Sequence, residues 1–270
     1  MRSLLTGMFL TWMACSSSSG GQTETIAKAP KADSGAHSDP EDAGPSDATK
    51  TVLDLRHVKE HPDAYEWFDF RPNVKKLILA GAAETEHIAI LWYTVADGGV
   101  ALHYHSKTES VYVIDGTQTD DKGSYPTGTV YFNPPGSGHA IRDSSGFFLL
   151  AYASPPDFMK TDAIERYTPV RIDTRADLMT EHPFEEAQSG VTTFSPALEA
   201  AGGMSATFVA TSAASAFTLQ ANYLTVIDGA CVVDGKKASA GALSVAKAVA
   251  PQAFSLAADG GSCLALSVSF

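Results

Sequence analysis

Four side chains in the middle of the sequence are of the types that bind a metal ion, three histidines and one glutamate. His103 and His105 are two residues apart, so on an extended strand both point to one face. Glu109 keeps that parity and can join them if the strand runs on through the intervening residues. His139 follows a Pro-Gly turn that reverses the chain just before it. Neutral imidazole and carboxylate are ordinary ligands of Zn, Fe, Mn, Ni and Cu. The sequence therefore predicts one divalent-metal site formed by these four residues.

The spacing of these residues forms two motifs that resemble those of the cupin superfamily. The first is His-x-His, three residues, Glu, six residues and Gly, and the second is Gly, five residues, Pro-x-Gly, two residues and His. The positions that match them are His103, His105, Glu109, Gly116, Gly128, Pro134, Gly136 and His139. Two positions depart from the pattern, with Asp97 where a glycine usually opens the first motif and Asp143 where an asparagine usually closes the second. Neither is a ligand position, so the resemblance implies a barrel around one divalent ion, and the residues do not distinguish among Fe, Zn, Mn and Ni.

The segments 119–129 and 133–139 resemble more narrowly the ChrR-like group of cupins. This resemblance covers about residues 51 to 155. The group includes the zinc-binding cupin domain of an anti-sigma factor, and it is similar to stand-alone cupins that cleave carbon–carbon bonds in diketones and aromatic ketones with iron and oxygen. The resemblance therefore implies either oxygenase chemistry or a zinc-holding role.

The elements that must position these residues are predicted to be strands. Runs of β-branched and aromatic residues, bounded by Gly, Asp and Pro clusters, occupy 88–93, 110–114 and 147–152. Many short strands with turn signals at modest spacing indicate an all-β jelly-roll fold. We expect helix at 163–167 and 196–201.

Strand parity, counted from the ligands, also predicts which neighbours line the site. It places Val111, Val113 and Ile141 inward, where they would form an apolar floor. It places Arg142 outward, as a surface charge rather than a clamp for an anion.

The second half of the chain repeats features of the first. Residues 53–56 recur at 172–175, residues 113–116 recur at 226–229, and Gly128 recurs as Gly241. Such a repeat signals duplicated structural units. We therefore predict two tandem cupin jelly-roll barrels, a metal-binding domain at 51–165 and a degenerate domain at 166–270.

The repeat also predicts which half binds the metal. At the offset of the last two repeats, the four ligands fall on Ala216, Thr218, Asn222 and Gln252. None of these is an imidazole or a carboxylate. The second domain is thus expected to hold no metal and to serve as structure, packing on the first or forming part of its wall.

The N-terminus is predicted to direct the protein to the bacterial cell envelope. Residues 1–15 have one positive charge before a short apolar run, as in a secretory signal peptide. Cys15 at the cleavage point indicates a lipid anchor, although plain secretion to the periplasm stays open. Residues 16–50 are rich in Ser, Gly, Ala, Asp and Pro, which predicts a disordered linker.

Charge and cysteine content limit the partners. The formal net charge of −12 and a pI near 5.0 argue against binding to nucleic acid, whose phosphates require a basic surface. No other apolar stretch is long enough to span a bilayer, so membrane contact would be through the lipid alone. Cys231 and Cys263 are equally compatible with a disulfide and with buried thiols. Cupins often dimerise, so the resemblance also allows a homodimer.

Three functions fit these observations. The first is a cell-envelope dioxygenase-type enzyme acting on a small chelating substrate, such as a diketone or a phenolic compound. The second is a ChrR-like zinc-binding module that senses or binds a small molecule without catalysis. The third is a structural lipoprotein in which the metal stabilises the barrel.

Overall fold

A computed structural model describes residues 49–159 and 167–270 of the chain. The predicted signal segment with Cys15, and the linker up to residue 48, lie outside the described residues. Within the described part the chain is all-β, as predicted, and its strands form two antiparallel sheets. The strands are β1 (Lys50–Asp54), β2 (Phe68–Arg71), β3 (Val74–Gly81), β4 (His87–Tyr104), β5 (Glu109–Asp120), β6 (Gly123–Pro126), β7 (Thr129–Asn133), β8 (Gly138–Tyr152), β9 (Val170–Asp173), β10 (Glu185–Gln188), β11 (Val191–Phe194), β12 (Ser205–Thr211), β13 (Phe217–Ala221), β14 (Tyr223–Val233), β15 (Lys236–Ser239), β16 (Ala242–Ala246) and β17 (Gln252–Ser269).

The helices of the described residues are short. They are α1 (Leu55–Glu60) and α2 (Leu178–Glu181), with 3₁₀ turns at Pro62–Ala64 and Ala200–Gly202. The helix expected at 196–201 is therefore absent apart from this last turn, and most of 163–167 lies outside the described residues. Segments of four to six residues are too short to show a helical period, which is why the sequence did not reveal them. Among the described residues no helix has the length and hydropathy needed to cross a bilayer.

The two sheets have related strand orders. The eight-stranded sheet runs β2-β3-β4-β8-β5-β7-β9, with β6 paired to β5. The nine-stranded sheet runs β1-β16-β14-β17-β12-β11-β10, with β13 paired to β17 and β15 to β14. In each sheet the hairpin strand β5 or β14 lies beside the long strand β8 or β17, so the order supports the internal repeat that the sequence indicates.

The two halves exchange a strand. β1 pairs with β16 of the second half, and β9 pairs with β7 of the first. The backbone hydrogen bonds made just after the two exchanged strands also correspond. Leu55 N donates to Gly241 O over 2.8 Å, and Thr174 N donates to Gly128 O over 2.9 Å. Each of these two strands therefore belongs by sequence to one predicted domain but pairs in the sheet of the other. The boundaries, and the description of the second half as a cupin domain, stay predictions.

Glycine is required at Gly128 and Gly241, whose carbonyl groups accept hydrogen bonds from the residues that follow the two exchanged strands. Gly128 and Gly241 have φ values of +85° and +90°, a region that residues with a side chain rarely adopt. A Cβ at Gly128 would lie 2.7 Å from the side chain of Arg175, and one at Gly241 would lie 3.2 Å from that of Arg56. The sequence repeat of Gly and Arg thus reflects a repeated close contact.

In the eight-stranded sheet, alternate side chains point to one face and form a buried apolar core. Val111, Val113 and Ile141 are buried in it, with exposed fractions of 0%, 0% and 4%. Arg142 is exposed. Both observations agree with the prediction from strand parity.

Residues of the opposite parity join the two halves. Ile90 and Leu149 of the first half belong to one buried cluster with Phe208, Leu266 and Val268 of the second. Burial of each such side chain stabilises the folded chain by about 1.5–3 kcal/mol. The second half therefore packs on the outer face of the sheet that carries the predicted metal ligands.

The cysteines of the second half are paired. Cys231 on β14 and Cys263 on β17 form a disulfide, and both are buried. Of the two states that the sequence left open, the structure has the disulfide.

Candidate metal centre

The structure brings the four predicted ligands together in the first half of the chain. His103, near the end of β4, lies opposite His139 on β8, and Glu109 is the first residue of β5. All four side chains are buried. One candidate ligand atom from each lies within 4.8 Å of every other. The group is therefore suited to a single metal ion.

The Pro-Gly turn positions two of the ligands. The backbone N–H of His105 donates to Ser137 O over 2.8 Å, and that of Gly136 donates to His105 O over 2.7 Å. Gly136 has a φ of 86°, in the left-handed region that favours glycine. The turn predicted to aim His139 therefore also fixes the loop that carries His105.

The distances between ligand atoms fit the coordination shell of a divalent ion. His105 Nε2 lies 3.1 Å from His139 Nε2, and Glu109 Oε2 lies 3.4 Å from each of these nitrogens. Ligand atoms about 2.1 Å from a metal are about 3.0 Å apart at right angles and about 3.4 Å apart in a tetrahedron. The donor atoms of His105, Glu109 and His139 are thus already spaced as ligands, and the whole group of four lies within 4.8 Å.

Neighbouring acceptors fix the orientation of two imidazoles. His103 Nδ1 donates to the carbonyl of Ala101 over 2.8 Å. His139 Nδ1 donates to Asp120 Oδ2 over 2.9 Å. In both rings Nε2 is left for the metal, and a carboxylate on the far side of a ligating imidazole increases its basicity.

Asp120 and Asn133 are site residues that ligand spacing did not identify. Asn133 Nδ2 donates to Glu109 Oε2 over 2.7 Å, which fixes the carboxylate. Asp120 Oδ1 also accepts the backbone N–H groups of Lys122 and Gly123, over 2.8 and 3.0 Å. Both residues lie within the segments that resemble the ChrR-like group, but Asp120 precedes an Asp-Lys-Gly sequence that indicates a turn. Its contact with His139 depends on strand pairing.

The ionisation of the site follows from burial and these contacts. Burial lowers the pKa of His105 to about 4, so this ring is neutral at pH 7. Burial also opposes the charged form of His139, but hydrogen bonds to Asp120 and Glu109 outweigh it and raise its pKa to about 9. Burial disfavours the Glu109 carboxylate as well, yet His105 and His139 together hold its pKa well below the usual range. In the metal-free protein at pH 7, Glu109 is ionised and His139 carries a proton.

Metal binding at neutral pH is expected to release about one proton. A ligating imidazole must be neutral, and below its pKa of about 9 the free His139 is protonated. The apparent metal affinity should therefore fall about tenfold for each pH unit below that pKa and level off above it. Calorimetric titration at pH 7 in two buffers of different ionisation enthalpy measures the released protons. A value near zero would contradict the expectation.

Replacement of Asp120 by asparagine should weaken metal binding about 10- to 100-fold. The amide keeps the size of the carboxylate but removes the charge that orients and polarises His139. Competition with a chromogenic chelator at pH 7 measures the change. The variant Asp121→Asn, at the neighbouring exposed carboxylate, is the matched control and should bind like the native protein.

Two phenylalanines, Phe70 and Phe158, cover the space beside the ligands and are called here the aromatic cover. The ring of Phe158 lies 5.3 Å from that of His103 and 6.2 Å from that of Phe70. The guanidinium of Arg71 lies 4.1 Å from the centre of the Phe158 ring and 4.4 Å from that of Phe70. The cavity beneath measures about 10 Å³, room for about one water molecule. A substrate that approaches from this side must displace the aromatic cover.

The corresponding positions of the second half do not converge in this way. Ala216 and Thr218 are exposed, whereas Asn222 is buried and its Oδ1 accepts the backbone N–H of Phe270 over 2.8 Å. Gln252 is partly exposed at the start of β17. The interior is filled by apolar side chains, including Val191, Val209, Leu224, Val226, Phe254, Leu256 and Ala265. That this half binds no metal stays a prediction.

Comparison with solved structures identifies the class of fold. The chain is similar to a candidate dioxygenase from Nostoc punctiforme PCC 73102, with 10% identity over 83% of each chain and a TM-score of 0.56. It is also similar to a candidate glyoxylate-induced protein from Pseudomonas aeruginosa, with 16% identity over 91% of this chain and 96% of the other and a TM-score of 0.51. At these identities the likeness is one of fold, and the fold is that of the cupins.

The first half of the chain resembles a known protein family. Residues 56–154 match the ChrR cupin-like domain, and this part of the chain is similar to that family. The match contains the four clustered side chains and both supporting residues, Asp120 and Asn133. No curated protein sequence matches the chain.

Proposed function

We propose that this protein is a metal-dependent enzyme of dioxygenase type that acts on a small chelating compound, such as a diketone or a phenol. The observation that carries the proposal is the buried group of three imidazoles and one carboxylate, whose candidate ligand atoms all lie within 4.8 Å of one another. One anionic ligand leaves a divalent ion with a residual charge near +1 and with one or two open positions. An enolate or a catecholate meets both requirements.

The chain's own residues prepare the site for such a substrate. A redox-active divalent ion would supply Lewis-acid and oxygen chemistry when bound. Asn133 holds the Glu109 carboxylate, and Asp120 holds the His139 imidazole, so neither ligand must reorganise. The aromatic cover leaves room for about one water molecule beside the ligands, and limiting water in this way strengthens electrostatic interactions inside.

Replacement of Phe158 by alanine should make release of the bound metal to a chelator about tenfold faster. The substitution removes an aromatic contact of about 1 kcal/mol and a cation–π contact of about 0.5–1 kcal/mol. Stopped-flow mixing of metal-loaded protein with a chromogenic chelator measures the rate. The neighbouring Met159 is 88% exposed, so Met159→Ala should leave the rate unchanged. Equal rates for Phe158→Ala and the native protein would show that the aromatic cover does not control access.

A second function is favoured by the closed state of the site. A cavity with room for about one water molecule would suit a ChrR-like zinc module that holds its ion without turning over a substrate. Phe158→Ala would then change metal release but would reveal no activity. The zinc module and the dioxygenase-type enzyme therefore differ in the metal that the protein binds, zinc in one and a redox-active ion in the other.

Metal analysis combined with an oxygen assay separates the two. The chain is expressed without its first 20 residues, its metal content is measured, and oxygen uptake is followed with a panel of diketones and phenols. Bound iron with substrate-dependent oxygen uptake supports the enzyme. Stoichiometric zinc and no uptake with any compound would overturn it in favour of the zinc module.

We also propose that the protein acts in the bacterial cell envelope, anchored by lipid at Cys15 or secreted to the periplasm. The disulfide between Cys231 and Cys263 supports this location, because disulfides persist in oxidising compartments. Fractionation of cells, with mass spectrometry of the mature N-terminus, tests it. Recovery of unprocessed protein from the cytosol would contradict it.

A further inference from the structure

A cavity of about 400 Å³ lies between the two halves of the chain, next to the metal centre. Phe132 and Pro135 form its apolar wall on the side of the first half, and Leu198 belongs to the second half. It shares no lining residue with the small cavity beneath the aromatic cover. A volume of several hundred Å³ is typical of small-molecule sites, and the wall of this cavity is mixed, with polar and apolar residues in similar share.

Four residues that line this cavity have buried polar atoms without a partner in the described structure. They are Thr108 Oγ1, Asn133 Oδ1, Ser137 Oγ and Tyr167 Oη. The side chains of Thr108, Asn133 and Ser137 belong to residues that are only 2%, 0% and 0% exposed. Buried polar groups are nearly always hydrogen-bonded, because leaving one without a partner destabilises the folded protein. Four such atoms around one cavity therefore point to a polar ligand.

The chemistry of these atoms defines what the ligand can be. Since Asn133 Nδ2 donates to the Glu109 carboxylate, its Oδ1 is an acceptor that requires a donor. The hydroxyls of Thr108, Ser137 and Tyr167 can both donate and accept. The ligand must thus offer both donors and acceptors, as hydroxyl groups do.

The electrostatics of the cavity disfavour an anion. Among the described residues that line it, the one charged side chain is Glu199, and the ionised Glu109 lies directly behind Asn133. Burial and the nearby Asp120 and Glu109 charges also raise the pKa of Tyr167 far above its usual value. The cation beside Tyr167, Lys122, lies 4.8 Å from the centre of its ring and is paired with Asp121 over 2.6 Å. An anionic ligand would therefore meet mainly negative charge, so a neutral one is favoured.

We propose that this cavity is a second binding site, separate from the metal centre, for an uncharged ring-sized molecule that carries hydroxyl groups. Thr108, Asn133 and Ser137 form its polar side, and Leu198 and Ala197 close it from the second half. The second half would thereby contribute to ligand binding without holding a metal. The proposal stands independently of the reaction proposed for the metal centre.

The experiment compares two probes of the same shape and different charge. Binding of 4-hydroxybenzyl alcohol and of 4-hydroxybenzoate to the purified full chain is measured by calorimetry and by ligand-observed NMR. The alcohol should bind in a saturable manner, and the carboxylate should bind at least about tenfold more weakly, since burial of an unpaired charge is unfavourable. Absence of saturable binding of the alcohol, or equal binding of the two probes, would overturn the proposal.

Variants locate the bound probe. Ala197 lines the cavity but is exposed, so Ala197→Phe fills the cavity without disturbing a core and should abolish binding of the alcohol. The double variant Thr108→Val and Ser137→Ala should weaken binding about 10- to 100-fold, through the loss of two hydrogen bonds. Thr129 Oγ1 is likewise buried and unpaired but lies outside the cavity, so Thr129→Val is the matched control and should bind normally.

Two further measurements keep the outcome decisive. The metal content of Ala197→Phe should equal that of the native protein, and removal of the metal by chelation should leave binding of the alcohol intact. If Ala197→Phe binds the alcohol as the native protein does, or if chelation of the metal alone abolishes binding, the probe occupies another site and the proposal is wrong.

Discussion

The His105→Ala variant is expected to fold normally and to lose the metal. His105 is 1% exposed, and its Nε2 lies within 3.4 Å of two other ligand atoms, so its removal breaks the shell on one side. It also removes one of the imidazoles that lower the pKa of the buried Glu109 carboxyl group. Metal content should fall from about one ion per chain to near zero. Any metal-dependent turnover should disappear with it.

The fold should survive because His105 lies outside the strands. It follows the end of β4, and its two loop-fixing hydrogen bonds are made by its backbone, which alanine retains. Circular dichroism should thus match the native spectrum while elemental analysis shows the loss. Unfolding of the variant would be separated from loss of a ligand by the more conservative His105→Gln, which keeps the volume.

The matched control for this prediction is Gln252→Ala. Gln252 corresponds to His139 in the repeat, but it is partly exposed at the start of β17, beside an apolar interior. Its replacement should change neither metal content nor stability by a measurable amount. Loss of metal from Gln252→Ala, or full retention by His105→Ala, would show that the wrong half has been assigned the ion.

The ligand group could be read from the sequence because its geometry is largely local. His103 and His105 are two residues apart across the end of β4, although the strand does not run on to Glu109 as the parity argument required. The Pro-Gly turn that aims His139 is itself a sequence signal. The pairing of β4 with β8 then places His103 opposite His139. The same parity argument places the apolar floor correctly.

The supporting residues could not be read in this way, since their roles depend on contacts between distant strands. Asp120 ends β5 and contacts His139 on β8, although a following turn explains it equally well in sequence. The exchange of β1 and β9 is hidden for a related reason, because an edge strand has the same pattern whichever sheet it joins. The helices α1 and α2 contain only six and four residues, too few to show the helical repeat of apolar residues in the sequence.

The cysteine pair is the remaining feature that sequence left open, and its removal should cause the largest loss of stability. Cys231 and Cys263 are 32 residues apart, and cross-linking a loop of this length restricts the unfolded chain by an entropy worth about 3.7 kcal/mol at 25 °C. The Cys231→Ala/Cys263→Ala variant should therefore melt about 7–15 °C below the native protein. Scanning calorimetry measures the difference.

Reduction provides the matched control for that variant. Native protein treated with a phosphine reductant should melt near the temperature of the double variant, whereas the double variant should not respond to the reductant. Both should keep about one metal ion per chain, since the disulfide joins β14 to β17 and the ligands lie on other strands. A melting temperature that neither reduction nor the double substitution lowers would mean that the disulfide does not form in the native protein, and the argument for an oxidising compartment would lose its support.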